Sequence, residues 1–372
     1  MKQLVISGIN LFEGGPLSIY YDCLNCIRDM GLFHEYEITA FVHKKELFEN
    51  YQDIITLIEL PKSRVNYIYR LYYEYIFFYR WSHNKNIDIW LSLHDITPRV
   101  CAKQQYTYCH NPSPFMKKDL SKIRYDKKNV LFSYFYKYIY RINISHANGI
   151  IVQQDWIRKQ FLRLFPITNV IVARPTSNFN HTFKDESSTN KFIFIYAAFP
   201  RYFKNFELIC QASTFLNDLD YEIWITLAGN ENVYSKNLHE KFQDDSHIKW
   251  LGLQSRDQVF SLYEKVNCLV FPSLIETWGL PISEFKLTGK EMILADLPYA
   301  HETLGKYGKA TFFNPYDSMD LANCMRNAIT GKVIYVQHEE IIPTNPYVSS
   351  WKELLELILN ESENSETKCT CV

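Results

Sequence analysis

The stretch VFPSLIETWGLPISEFKLTGKEMILADLP, Val270–Pro298, decides how the rest of the chain is read. Its first residues form an apolar run of strand type. A loop carrying Glu276 follows, then Gly279-Leu280-Pro281, then a short helical segment carrying Glu284, and Gly289 closes it before a second apolar strand. Two carboxylates therefore flank a strand-to-helix turn. Backbone N–H groups at a helix start suit an anion, and a carboxylate on each side accepts hydrogen bonds from hydroxyls of the same ligand. A nucleotide sugar, two hydroxyl-rich ends joined by a diphosphate, fits that combination.

Apolar runs alternate with helical stretches on both sides of this block, the pattern of a parallel sheet covered by helices on both faces. In the same half, strands are predicted near Phe192–Ala197, Tyr221–Ala228, Ile248–Leu251, Cys268–Phe271, Met292–Ala295 and Thr311–Phe313. The polar, aperiodic segment PTSNFNHTFKDESSTN before them reads as a linker. The first half repeats the alternation, with strands predicted at Gln3–Ile9, Glu37–His43, Ile55–Leu60, Ile87–Leu93, Gln105–His110, Gly149–Gln153 and Val170–Ala173, and helices at Leu17–Met30, Tyr67–Trp81 and Phe132–Ser145. The expected organisation is a Rossmann-like domain over 1–175, a linker at 176–190, a second Rossmann-like domain over 191–346, and a last helix with a polar tail over 347–372. That helix, predicted over Val348–Leu359, carries Trp351, Leu354, Leu355 and Ile358 at helical spacing and must pack on something.

With 372 residues the chain is long for one core and comfortable for two. The balance of 40 basic against 41 acidic residues argues against a protein whose business is nucleic acid. No window has the length of uncharged apolar sequence that a membrane span requires, and the opening residues read as a strand and not a signal peptide. Nine scattered cysteines fit reduced thiols in a cytoplasmic protein; Cys23 and Cys26 lie in a helical pattern, and the final Cys369-Thr370-Cys371-Val372 reads as a frayed terminus.

The Glu276-x7-Glu284 block with Gly279-Leu280-Pro281 inside it resembles the signature of glycosyltransferase family 4, the large group 1 of retaining transferases. The resemblance implies the GT-B fold, two Rossmann-like domains facing across a cleft with the C-terminal helix returning to the N-terminal domain. It also implies that Glu276 contacts the transferred sugar and Glu284 the ribose, while amides around Gly279 and Leu280 reach sugar and phosphates. Thr277 and Trp278 stand where the family has a small residue and a phenylalanine, and so bear on which sugar is accepted.

Four further places in the chain gain a role. In the loop Tyr196–Asn205, Arg201 and Lys204 are cations at a strand's carboxyl end, able to neutralise a diphosphate. The family places an arginine and a lysine there for the donor phosphates; here only two residues separate them, and Ala198 or Phe199 occupies the usual glycine position. His110, in Tyr108-Cys109-His110-Asn111-Pro112, ends a strand where such sheets bind ligands, and is expected to donate a hydrogen bond to a sugar hydroxyl. Gly14-Gly15 follows the first strand, where the family has a glycine-rich loop for donor or acceptor, though the dinucleotide fingerprint is absent. His94 and Asp95 form a second polar pair of the same kind, assigned to the acceptor.

No metal and no cofactor is expected. The single Asp-x-Asp triplet, Asp218-Leu219-Asp220, lies in a polar turn, and Lys204, Arg201 and the helix start beside Glu284 supply the electrostatics. The segments Arg64–Trp81 and Phe115–Arg141 interleave basic and aromatic residues, which suits the lipid headgroup layer, or else a core with a solvated basic face.

The resulting expectation is a retaining, metal-independent glycosyltransferase, cytoplasmic and at the inner face of a membrane. It would move a sugar from a UDP- or GDP-sugar to a glycan or lipid-linked acceptor in surface polysaccharide or glycolipid synthesis. Two alternatives stay open: a GT-B nucleotide-sugar epimerase, which needs no acceptor, and a non-catalytic membrane-associated scaffold.

Overall fold

The computed structural model describes residues 1–175, 182–184, 186 and 191–364. The rest of the expected linker, and the tail with Cys369 and Cys371, lie outside the described residues. The chain divides into two compact units, Met1–Phe115 with Phe135–Thr176 and Pro343–Val372, and Met116–Tyr134 with Ser177–Ile342. Met116–Tyr134 therefore belongs with the second unit, although chain order alone places it in the N-terminal half.

In chain order the strands are β1 (Lys2–Gly8), β2 (Tyr36–Val42), β3 (Thr56–Glu59), β4 (Ile89–Ser92), β5 (Gln104–Tyr108), β6 (Gly149–Val152), β7 (Val170–Ala173), β8 (Phe192–Tyr196), β9 (Tyr221–Ile225), β10 (Ile248–Trp250), β11 (Cys268–Phe271), β12 (Glu291–Ala295), β13 (Ala310–Phe313) and β14 (Tyr347–Val348). Every predicted strand is present. Short, nearly continuous apolar runs such as VIVA and CLVF are buried on both faces, as central strands of a parallel sheet must be.

The first unit's sheet has the order β14-β7-β6-β5-β4-β1-β2-β3 and the second unit's β10-β9-β8-β11-β12-β13, all pairs parallel. In each sheet the order runs outward in both directions from one central pair. That pair is β1 and β4 in the first unit and β8 and β11 in the second. Ligands of open α/β sheets bind outside the carboxyl ends of the strands at such a reversal.

The last helix begins at Trp351, not at Val348 as predicted. Tyr347 and Val348 extend along β7 as a two-residue strand, too short for any periodicity to announce it. Trp351, Leu354, Leu355 and Ile358 are buried with Ile19, Tyr20, Leu24 and Ile27 of the Gly14–Asp29 helix, so the C-terminal helix does return to the first unit.

On the sheet's other face lies the Tyr67–Ser82 helix, whose middle turn, Tyr73–Phe77, is a π-turn. Its aromatic run divides: Phe77, Phe78 and Trp81 pack with Phe41 and Trp90 in the core, while Ile68, Tyr72 and Ile76 are exposed. Among the described residues no helix is long and apolar enough to cross a membrane.

Candidate active site

The loop after β8 and the loop after β11 are stitched together at the second unit's strand-order reversal. The Leu274 amide donates to the Phe203 carbonyl at 2.8 Å, and the Asn205 side chain donates to the carbonyls of Pro272 (3.2 Å) and Pro315 (2.9 Å). Asn205 adopts a left-handed conformation, φ 58°, which a short amide side chain tolerates better than most. The buried Tyr196 hydroxyl donates to the Lys204 carbonyl at 2.8 Å. These bonds deliver Lys204 to Glu276, with Nζ 2.5 Å from Oε1 and both side chains mostly buried. Arg201 has a different partner, Asp126 at 3.4 Å, and its guanidinium lies 5.5 Å from the centre of the Phe199 ring. The close sequence spacing of the two cations thus does not put them on one carboxylate.

Glu284 lies on the Leu280–Lys286 helix and is 8 % exposed. Arg256 reaches its Oε1 at 3.0 Å. Sequence reasoning passed over Arg256, yet a signal was present. Ser255 and Gln258 form a capping box, which places Arg256 in the first helical turn beyond β10. A pocket of 210 Å3 opens here, with Ala198, Phe199, Leu253, Arg256 and Glu284 in its wall.

Burial pushes the Glu284 carboxyl above its ordinary range, and Arg256 only partly offsets this. A carboxyl with a raised folded-state pKa contributes stability below its unfolded pKa and loses it as pH rises through the folded value. At neutral pH the ionised group is therefore a stability cost. Glu284→Gln is expected to melt higher than the parent at pH 7, with the gap closing as pH falls toward 4, and to bind donor less well. Calorimetry across that range checks it; a gap that widens on acidification contradicts the assignment.

Gly279 has φ 88°, a left-handed conformation that disfavours any side chain, and it opens the Leu280–Lys286 helix. Leu280 is at the surface, and Thr277 is half-buried beside Glu276. Trp278 is buried, its indole N–H donating to Ser283 Oγ at 2.9 Å and its carbonyl accepting from Thr303. The bulk at this position is thus absorbed by the interior, and Thr277 is the substitution that remains beside Glu276. Of the Asp-x-Asp triplet, Asp218 pairs with Arg326 (2.6 Å) and Asp220 with Lys191 (3.1 Å), both at the surface.

In the first unit the reversal brings together the residues that follow β1, β4 and β5. Gly14 and Gly15 start the Gly14–Asp29 helix, Gly14 with φ 66° and open space where a Cβ would stand. His110 stacks on Tyr108 (4.7 Å), which stacks on Trp351 (5.6 Å). The His110 Nε2 lies 2.8 Å from the Leu93 carbonyl, and since a carbonyl only accepts, Nε2 carries the proton. Burial lowers the His110 pKa, so the ring is neutral at pH 7 and its Nδ1 is an acceptor. The Nε2 proton is thus engaged by the Leu93 carbonyl, which leaves Nδ1, an acceptor, as the ring's other polar atom.

His94 and Asp95 are both engaged by groups of the protein itself. His94 is fully buried, with Nδ1 3.0 Å from Glu74 and Nε2 3.3 Å from Ser7 Oγ. Asp95 adopts φ 71°, and its Oδ1 accepts from the amides of His110 (2.6 Å) and Asn111 (2.9 Å) and from the Tyr140 hydroxyl (3.3 Å).

Residues 177–343 match the family of group 1 glycosyl transferases. Over 115 residues the chain is 27% identical to the serotype-specific mannosyltransferase WbdA of Escherichia coli, covering 31% of this chain and 14% of that protein. Over 198 residues it is 19% identical to the O-antigen chain mannosyltransferase RfbU of Salmonella typhimurium, covering 52% and 54%. The chain thus spans about half or less of the length of these curated relatives. Sucrose-phosphate synthase from Thermosynechococcus elongatus shares the fold with a TM-score of 0.64 at 11% identity, over 89% of this chain and 90% of that one. Residues 177–343 thus match the group 1 glycosyl transferases, and the two parallel α/β units are those of the GT-B fold.

Proposed function

We propose that the protein is a retaining, metal-independent glycosyltransferase that moves a hexosyl group from a nucleotide-diphosphate sugar to a glycan or lipid-linked acceptor, in the synthesis of a surface polysaccharide or glycolipid. The matched relatives are mannosyltransferases by name, which makes a mannosyl donor the first to try. The observation that carries the reading is the pairing of Glu276 with Lys204 and of Glu284 with Arg256, at the carboxyl ends of β8, β10 and β11. In this scheme Lys204 and Arg201 neutralise the charge that grows on the departing diphosphate, so the electrostatic task needs no metal. Glu276 orients the sugar hydroxyls and Glu284 the ribose. The bond from C1 to the diphosphate oxygen breaks as the acceptor oxygen bonds C1 on the same face, and the acceptor's proton passes to the diphosphate. No second carboxylate need act as nucleophile.

The test is a screen of UDP- and GDP-hexoses by thermal unfolding, followed by incubation with and without acceptor. A donor at about 100 times its Kd stabilises the native state by about 2.7 kcal/mol. One donor is expected to raise the melting temperature and to give a product of the same anomeric configuration. A new sugar-nucleotide isomer formed without acceptor would mean an epimerase instead, and no stabilisation by any donor a scaffold.

A lipid-linked acceptor would be met at a membrane surface, and the first unit has a surface for it. Ile68, Tyr72 and Ile76 recur every four residues on the Tyr67–Ser82 helix and are exposed, Ile68 by 78 %. Phe135, Tyr138 and Ile142 form a second exposed row, with Lys137 and Arg141 interleaved. Apolar and aromatic groups among cations fit the headgroup layer of the inner, anionic leaflet. The protein is expected to float with phosphatidylglycerol vesicles at low salt, and Ile68→Ser with Tyr72→Ser to lose most of that binding. Equal flotation of parent and double variant would sink this part of the reading.

A further inference from the structure

Residues 116–134 belong with the second unit. Between the buried Met116 and Val130, every residue from 117 to 129 is exposed or half-buried, so this stretch is a strap held by surface contacts alone. Lys122 Nζ lies 3.2 Å from Glu207 Oε1, and Lys117 Nζ lies 5.4 Å from the centre of the Tyr316 ring. The Tyr125 and Tyr234 rings meet edge to face at 6.0 Å, and Arg201 Nη1 donates to Asp126 Oδ2 at 3.4 Å. Partly solvated ion pairs and ring contacts are each weak, and a segment with no buried side chain opens at little cost.

The Asp126 contact differs from the others in what it occupies. Arg201 is one of the two cations assigned above to the donor diphosphate, and a carboxylate of the strap holds it instead. Asp126 does not depend on Arg201 in return. Its Oδ1 accepts from the Asn129 amide at 3.1 Å and its Oδ2 from the Asn129 side-chain amide at 2.6 Å, at the start of the helix Lys127–Arg141. A carboxylate in that place is satisfied by the helix end itself. Arg201 can therefore leave without orphaning a charge.

We propose that Asp126 is a competitor for the donor diphosphate carried by the chain itself: with no donor bound it holds Arg201, and a nucleoside diphosphate takes Arg201 over and loosens the strap at 117–129. The inference rests on the transferase reading, since it needs Arg201 as a phosphate ligand. A diphosphate offers Arg201 more negative charge than one carboxylate does, which makes the exchange favourable. Because the ligand must first win Arg201, its apparent affinity is lower than the open site would give, by the fraction of molecules in which the strap is already loose.

GDP and UDP are the probes, titrated by calorimetry into the full chain and two variants. Asp126→Asn keeps a helix-capping side chain and removes the charge that holds Arg201. It is expected to bind one of the two nucleotides about fivefold more tightly, the scale of one partly exposed ion pair. Lys122→Met frees the strap from Glu207 without touching Arg201, and is expected to bind about twofold more tightly through the larger open fraction. By charge alone, losing a cation would weaken an anion's binding, so the sign for Lys122→Met separates strap release from electrostatics at a distance. The nucleotide is also expected to speed tryptic cleavage at Lys117, Lys122 and Arg124 of the parent, read by mass, where a ligand that only stiffened the protein would slow it. Binding by the parent with no gain in either variant, a loss in Lys122→Met, or slower cleavage of the strap would overturn the inference and leave the donor site standing. Failure of both nucleotides to bind the parent and both variants would bring down the transferase reading and this inference with it.

Discussion

Glu276→Gln is expected to lower kcat/KM by about 10²–10³-fold, the scale lost when one preorganised electrostatic group is removed from a reacting centre. The replacement keeps volume and an acceptor oxygen, so the Lys204 ammonium retains a hydrogen bond and loses only its ionic part. That costs stability on the order of 1 kcal/mol, the difference between a charged and a neutral hydrogen-bond partner. The folded protein thus survives while its chemistry does not. The effect should fall mainly on kcat, because Lys204, still in place beside a neutral partner, keeps its charge for the donor diphosphate. Steady-state kinetics with the donor found by the thermal screen, beside a melting curve, separates the two. Turnover within tenfold of the parent would remove Glu276 from the chemistry.

Arg70→Met is expected to destabilise the protein by about 3–5 kcal/mol, the range for removing one partner of a buried charge pair. Arg70 is 7 % exposed and Glu74 is fully buried. Arg70 Nη2 donates to the His94 carbonyl at 2.8 Å, and its Nε lies 3.9 Å from the Glu74 carboxylate, which is also 3.0 Å from His94 Nδ1. Burial works to lower the Arg70 pKa, but Tyr136, Glu74 and Asp95 nearby outweigh it and raise the pKa, so the guanidinium stays ionised. Methionine fills much of the volume and leaves Glu74 with a buried charge and one fewer partner. Arg70→Met with Glu74→Met removes both charges and should recover a large part of the loss. Urea unfolding of the two singles and the double closes the cycle. A single-variant loss under about 1 kcal/mol would show that water reaches this cluster.

His94 ties that cluster to the candidate site. It is held by Glu74 and Ser7, and the next residue, Asp95, fixes the amides of His110 and Asn111. A marginal loss of packing here would therefore be felt at His110, through backbone position and not through direct contact with a ligand.

Most of the architecture was legible because parallel strands buried on both faces are short apolar runs bounded by polar turns, and every such run became a strand. β14 was not legible, since two residues carry no period. The aromatic segment after Arg64 was ambiguous for a different reason. Phe78 and Ile68 are equally apolar in sequence, and only the helix's docking on Phe41 and Trp90 decides which is core and which is exposed. The site was legible where its residues are close in the chain, as with Glu276, Gly279 and Glu284. It was not legible where a partner comes from another element, as with Arg256 for Glu284 and Asp126 for Arg201.

The sequence by itself determined the two alternating α/β series, the strand-to-helix turn with its two glutamates and the family that residues 177–343 match. These are local patterns, written in periodicity, glycine placement and spacing. Tertiary structure alone decided that Trp278 is interior, that His110 Nε2 is engaged by the Leu93 carbonyl, and that His94 is buried against Glu74. Each depends on what lies across a sheet face or a loop from the residue, and burial and hydrogen-bond pairing are set by neighbours far away in the chain.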